Sequence, residues 1–238
     1  MGPTLVKSTN NFIIRVSRAI FPPFDSISAQ TMINKSEIGG VILAGGKASR
    51  MDFRDKALEP LHGKPLLEYV VARAKDQVEA LVLSVNHNIE RYQAFELPIV
   101  RDRDTSYAGP LLGILTAMHW FQSAQAGKGI RYLACFPGDV PEFPRDVVSQ
   151  LAQELDRGSA SVAYIYHRDQ IQPLFSLWRL DVIEQMEEAV AAGLYGPKLL
   201  FGSLKAVAVS SDDKSPGAFC NINSAEDLHT VALLIDGK

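Results

Sequence analysis

Cysteine is scarce in this 238-residue sequence: Cys135 and Cys220 lie far apart, and neither belongs to a CxxC pair or to a cluster with histidine. That excludes a disulfide scaffold and a thiolate zinc site, and it suits reduced thiols in the cytoplasm. No stretch approaches the roughly 18 uninterrupted apolar residues that a membrane-spanning helix needs, so no membrane partner is expected. Excess charge of one sign is missing too. Lys plus Arg number 24 against 27 acidic residues, and a net charge of −3 offers no bulk attraction to nucleic acid. The five histidines, His62, His87, His119, His167 and His229, are scattered without the spacing of metal ligands. Ser49 has no G-x-S-x-G context, which argues against a nucleophilic serine.

Acidic side chains are also absent from the first 24 residues, where Lys7, Arg15 and Arg18 stand among recurring Ser and Thr. This is the composition of a transit peptide or of an upstream translation start. Residues 1–36 carry four basic groups and one acidic group, leaving 20 basic and 26 acidic for the remainder, which is mildly acidic. We therefore divide the chain into an N-terminal extension, 1–36, and one domain, 37–238, whose 47% apolar composition and length suit a single sizeable core.

What is present from Gly39 onward is an alternation of short apolar runs with longer helical patterns, the rhythm of βαβ units. Strands are predicted at 40–44, 80–85, 98–100, 131–136, 160–166, 173–177 and 205–209. Helices are predicted at 65–77, 109–121, 146–155, 182–192 and 225–235, with a short one at 198–201. The expected fold is α/β: a doubly wound, mostly parallel, Rossmann-like sheet with helices on both faces. Ligands of such sheets bind beyond the carboxyl ends of the strands. Polar residues stand at those ends: Gly45 and Gly46 after the first strand, Asn86 after the second, Asp102 after the third and Asp139 after the fourth.

Two glycines directly after a buried strand let the backbone approach phosphate oxygens, and Arg50 and Lys56 add positive charge nearby. A glycine pair forms a plain tight turn as readily as a phosphate loop, and the spacing fits neither the P-loop nor the dinucleotide fingerprint. The longer string is more specific. Residues 43–51 read LAGGKASRM, residues 55–58 DKAL and residues 63–67 GKPLL. Asp102 precedes the segment from Tyr107 to Ile114, YAGPLLGI; residues 137–141 read PGDVP, and residues 219–228 FCNINSAEDL. In this order the motifs resemble the nucleotidyltransferase superfamily, and within it the molybdenum cofactor guanylyltransferase (MobA) family, over about residues 38–235.

That resemblance implies a nucleotide-diphospho-sugar transferase-like fold and transfer of GMP from GTP to the phosphate of molybdopterin, with Mg²⁺ as cofactor and pyrophosphate leaving. It implies GTP and the molybdopterin cofactor as partners, with transient contact to other proteins of cofactor biosynthesis. Leu43, Ala44, Gly45 and Gly46 would face the nucleotide, and Arg50 and Lys56 would neutralise phosphate charge. Asp139 would hold Mg²⁺, since a hard cation prefers carboxylate oxygen; the alternative is a helix or turn cap for the segment from Pro141 onward. Asn86 and Asp102 would meet the base and ribose, or serve as ordinary loop residues. Asn221, Asn223 and Lys198 are assigned to the acceptor, with turn-forming Asn as the alternative. The sequence departs from the family pattern at Asp52 and Phe53, where glycine is usual, at Gly138 in place of cysteine, and at Lys198 in place of arginine. A cytidylyltransferase of the same pathway, which shows LAAG rather than LAGG, and a nucleotide-binding homologue without turnover are the rival readings. Because the recognisable sheet begins at Gly39, a chain starting at Met32 is expected to fold and bind nucleotide. Insolubility of that truncated chain beside a well-behaved full-length protein would show that the extension completes the core.

Overall fold

The computed structural model describes residues 33–45, 55–102, 109–123 and 127–236. The chain divides into two units, 1–30 and 31–238, and the described residues belong to the second. The extension up to residue 32 therefore lies outside them. In chain order the elements are β1 (Ile38–Leu43), β2 (Pro60–Leu61), β3 (Lys64–Pro65), α1 (Leu66–Ala74), β4 (Ala80–Ser84), β5 (Ile99–Val100) and α2 (Pro110–Ser123). There follow β6 (Tyr132–Pro137), α3 (Val147–Asp156), β7 (Val162–His167), β8 (Gln170–Arg179), α4 (Ile183–Ala191), β9 (Val207–Ser210) and α5 (Ala225–Asp236).

Seven strands form one sheet in the order β5-β4-β1-β6-β8-β7-β9. β1 pairs in parallel with β4 and β6, β4 with β5, and β7 with β9, while β8 runs antiparallel to both neighbours. The mostly parallel sheet is as expected; the direction of β8 is the feature its residue pattern did not reveal. It follows from the turn. Only Arg168 and Asp169 separate β7 from β8, both with positive φ, and a two-residue connection of this kind can join antiparallel strands only. The small β2–β3 hairpin was likewise not expected, because two-residue strands are too short to display an alternating pattern.

Central strands lie between two apolar layers. Ile38 and Ile42 of β1 pack on one face with Leu67 and Val70 of α1 and Leu151 and Leu155 of α3. Val41 packs on the other with Ile114, Met118 and Phe121 of α2 and Met186 of α4. Burial on both sides is why the run reads as continuously apolar. At Gly39 the lack of a side chain is required: a Cβ would sit 2.6 Å from the Phe121 ring. A third cluster of Leu61, Leu66, Ile222 and Val231 fastens α5 over the β2–β3 hairpin. Among the described residues no helix is long and apolar enough to cross a membrane.

The loop after β6 is held by buried polar groups. Arg73 of α1 pairs with Glu142 and donates to the Phe143 carbonyl at 2.8 Å. Gln77 donates to the carbonyls of Arg73 and Pro144, at 3.0 and 3.2 Å, and accepts from the Val148 amide at 3.0 Å. The Phe219 and Ile222 amides donate to the carbonyls of Glu142 and Asp139 at 2.9 and 3.0 Å. Asp139 thus sits on a segment clamped between α1 and the chain entering α5. Replacing Gln77 by Leu keeps the bulk but strands the Val148 N–H, so unfolding free energy is expected to fall by about 2 kcal/mol with an unchanged denaturant slope. A midpoint equal to wild type in urea melts would show that the clamp is dispensable.

Candidate active site

A cavity of about 380 Å³ opens beyond the carboxyl ends of β1, β4 and β6, within the size range of small-molecule sites. Its floor is Leu43, Ala44 and Gly45 after β1 and Pro137, Gly138 and Asp139 at the end of β6. These strand ends stay knitted past the ladder: Ala44 N–H donates to the Ser84 carbonyl and Gly138 N–H to the Leu43 carbonyl, each at 3.0 Å. A Cβ on Gly138 would lie 3.2 Å from both the Ala44 Cβ and the Leu43 oxygen, so a small residue lets the two ends meet.

Lys56 enters from a short 3₁₀ turn, Lys56–Leu58, and its Nζ donates to Asn223 Oδ1 at 2.8 Å. Asp55 fixes this turn from behind: its Oδ2 accepts from Arg91 Nη1 at 2.7 Å and from Asn88 Nδ2 at 3.1 Å. Asn223 is fixed in turn, because its N–H donates to Asp227 Oδ2 at 2.8 Å while the Asp227 N–H donates to Ser224 Oγ at 3.1 Å. The hydrogen bond from Asn223 holds the Asp227 carboxyl below its ordinary range, with Ser224 and the nearby Lys56 ammonium adding to the effect. At Asp139 the balance is opposite. Burial pushes its carboxyl above the ordinary range, partly offset by the Lys56 ammonium and by a hydrogen bond from its own backbone N–H.

Asn86 and Asp102 form the other wall. Asn86 Nδ2 donates to Asp102 Oδ2 at 2.8 Å, and the Asp102 N–H donates to Asn86 Oδ1 at 3.0 Å. Thr116 Oγ donates to the second carboxylate oxygen at 2.9 Å. Leu174 closes the cavity from β8, where the register with β7 jumps from Tyr164↔Ser176 to Ile165↔Gln172 and bulges residues 173–175 out of the ladder. The arrangement is a cleft with a cation and a half-buried carboxylate at one end and a locked amide–carboxylate pair at the other. Such a cleft suits a ligand with an anionic end and a hydrogen-bonding end.

Residues 40–207 match the family described as MobA-like NTP transferase domain. The chain belongs to this family. The molybdenum cofactor guanylyltransferase of Cupriavidus metallidurans is 34% identical over 203 residues, which cover 83% of this chain and 96% of that relative. The crystal structure of molybdopterin-guanine dinucleotide biosynthesis protein A from Archaeoglobus fulgidus superposes with a TM-score of 0.68 at 20% identity, over 84% of this chain and all of that one. A CMP:2-keto-3-deoxy-manno-octonic acid synthetase complexed with CTP gives 0.63 at 16% identity, covering 86% and 99%, and shares the fold.

Of the residues singled out in this MobA-like chain, Leu43, Ala44, Gly45, Lys56, Asn86, Asp102 and Asp139 all line one cavity. Asn223 joins it through Lys56. Asn221 lies instead along a second groove, beside Gln172 and Asp227, and Lys198 is exposed on the turn Pro197–Leu200, lining neither. Gly46, Arg50, Asp52 and Phe53 lie outside the described residues. Asp139 does not cap a helix, since α3 starts only at Val147 with Asp146 before it. Thr116, His87 and Leu174 carried no signal in the sequence; Asp55 stood within the DKAL string without a role. Among the described residues no group of three or more His, Cys, Asp or Glu is gathered as a metal cluster.

The raised Asp139 has a consequence for stability. A carboxyl whose folded-state value lies above its unfolded value contributes stability below the unfolded value, and loses it as pH rises through the folded one. At neutral pH the charged form therefore weighs against the metal-free fold. Asp139→Asn is expected to melt above wild type at pH 7 in chelator, with the gap closing below pH ~4. A variant melting well below wild type at pH 7 would contradict this account of the carboxyl.

Proposed function

We propose that this protein transfers GMP from GTP to the phosphate of molybdopterin, releasing pyrophosphate, in the synthesis of molybdopterin guanine dinucleotide. The observation that carries the reading is the meeting of Lys56 and Asp139 in one cavity with the Asn86–Asp102 pair, in a chain of the MobA-like family. In the reaction a phosphate oxygen of the acceptor bonds to the α-phosphorus of GTP, the α–β bridging bond breaks, and its electrons leave on pyrophosphate. Two anions must approach, so neutralising charge and fixing geometry dominate the catalytic task.

The backbone of Leu43, Ala44 and Gly45, which lines the cavity, would face the triphosphate, and Lys56, with Gly46 and Arg50 of the same motif, would serve the phosphates. Lys56 exchanges its Asn223 partner for a phosphate oxygen at little cost, because one charge-assisted hydrogen bond replaces another. Asn86 and Asp102 receive the nucleoside. Asn223 serves the acceptor and links the two substrates through Lys56, whereas Asn221, in the second groove, and Lys198, on its exposed turn, stand apart from this cavity. Asp139, a half-buried carboxylate in the cavity lining, is the residue that would hold Mg²⁺, a cation commonly held by one or two carboxylates plus substrate phosphates. When bound, the cation supplies charge neutralisation at the phosphates. The setting is the cytoplasm, in keeping with Cys135 and Cys220 as unbridged thiols.

The test is pyrophosphate release and dinucleotide formation from molybdopterin with GTP, CTP, ATP or UTP in the presence of Mg²⁺. GTP alone should give the product, and chelation should stop it. Lys56→Ala should raise the dissociation constant for GTP at least about tenfold, close to 1.4 kcal/mol. Asp139→Asn should slow turnover by a factor on the order of a hundred or more. Product from CTP in preference to GTP, or wild-type turnover by Asp139→Asn at equal Mg²⁺, would overturn the proposal.

A further inference from the structure

Thr116 stands outside the cavity lining, yet it is bonded to a residue inside it. A helical threonine ordinarily turns its hydroxyl back to a carbonyl three or four residues earlier. Here the hydroxyl leaves α2 and donates to Asp102 Oδ1 at 2.9 Å. The approach is made possible one turn before, at Gly113, where a Cβ would lie 2.7 Å from Ser84 Oγ and would hold the helix away from β4.

The consequence falls on Asn86. Its amide is pinned by two contacts of opposite sense, Nδ2 to the Asp102 carboxylate and Oδ1 to the Asp102 N–H. A flipped amide would set its NH₂ against that N–H and its oxygen against the carboxylate, so one orientation survives as long as the carboxylate stays where it is. Asp102 has one oxygen on Asn86 and the other on Thr116. The hydroxyl is therefore the far anchor of the carboxylate, and the carboxylate is the anchor of the amide. Among the described residues, one amide hydrogen of Asn86 and the remaining acceptor lone pairs of Asp102 are unspent, in fixed order, on two residues that line the cavity.

We infer that Thr116 is a positioning residue for nucleoside recognition, acting through Asp102 to hold Asn86 in the orientation that reads the donor nucleotide. The inference rests on the assignment of this wall to the nucleoside. Its chemistry requires ligand donors facing Asp102 and an acceptor facing the Asn86 amide hydrogen. Both the amino group of guanine and the ribose hydroxyls can supply such donors. ITP lacks the former and 2′-deoxyGTP one of the latter, so the two analogues separate the sources. A structural role alone would change all ligands equally; a positioning role changes the ratios between them and spares the phosphate end.

The experiment measures affinities of the full chain for GTP, ITP, 2′-deoxyGTP and tripolyphosphate, in wild type, Thr116→Val and Thr116→Ser. Valine keeps the shape and removes the donor; serine keeps the donor. Thr116→Val should lose about tenfold in GTP affinity, bind tripolyphosphate within about twofold of wild type, and lose most of the preference for GTP over ITP, 2′-deoxyGTP or both, while Thr116→Ser retains it. If valine fails to fold, Thr116→Ala is read in its place by the same criteria. An undiminished preference for GTP over both analogues in the variant, or an equal loss for tripolyphosphate and GTP, overturns the inference. Wild type that shows no preference for GTP over either analogue overturns the nucleoside assignment itself, which separates the two failures.

Discussion

The Asp139 carboxyl, half-buried just past the end of β6, is eased by the ammonium of Lys56, which arrives from a turn more than eighty residues earlier in the chain. Much of the surrounding architecture keeps these two groups near each other without letting them neutralise into an inert pair. The lysine is bonded not to Asp139 but to Asn223, a neutral amide. A neutral partner holds the ammonium in place and leaves its charge available to an incoming anion, whereas a close carboxylate would have to be displaced at greater cost. Asp227, one step behind, supplies the negative charge that Asn223 lacks, but spends it on the Asn223 N–H and the first turn of α5.

This places the demand for rigidity on parts of the chain that never touch a ligand. Asp55, through Arg91 and Asn88, fixes the turn that carries Lys56. Arg73 and Gln77, through Glu142, Phe143 and Pro144, fix the loop that carries Asp139. Ile222 ties the Asp139 loop to the β2–β3 hairpin by donating to the Asp139 carbonyl while its side chain packs with Leu61 and Leu66. Catalytic geometry must hold to fractions of an ångström, and supporting hydrogen bonds of this kind are how a fold achieves it.

How much of this could be read in advance depended on the distance over which each signal acts. β1, β4 and β6 were legible because burial on both faces leaves an unbroken apolar run, and the polar residues ending those runs proved to share a cavity. The direction of β8 was not legible, since an apolar run looks the same in either direction and the deciding feature was the turn at Arg168 and Asp169. The bulge that brings Leu174 over the site belongs to pairing register, which no single strand displays. Thr116 looks like any helical threonine until β5 places Asp102 beside it. Lys198 was singled out for its charge, but charge alone does not locate a side chain, and the turn from Pro197 holds it outside the cavity.

The central claim is that Lys56 and Asp139 act on one bound triphosphate rather than at separate places. A double-mutant cycle on GTP affinity, with Lys56→Ala, Asp139→Asn and the combined variant titrated at fixed Mg²⁺, tests it most directly. Groups that share a ligand and lie close together couple, so the combined loss should differ from the sum of the single losses by about 1 kcal/mol or more. Strict additivity of the two losses would contradict the account.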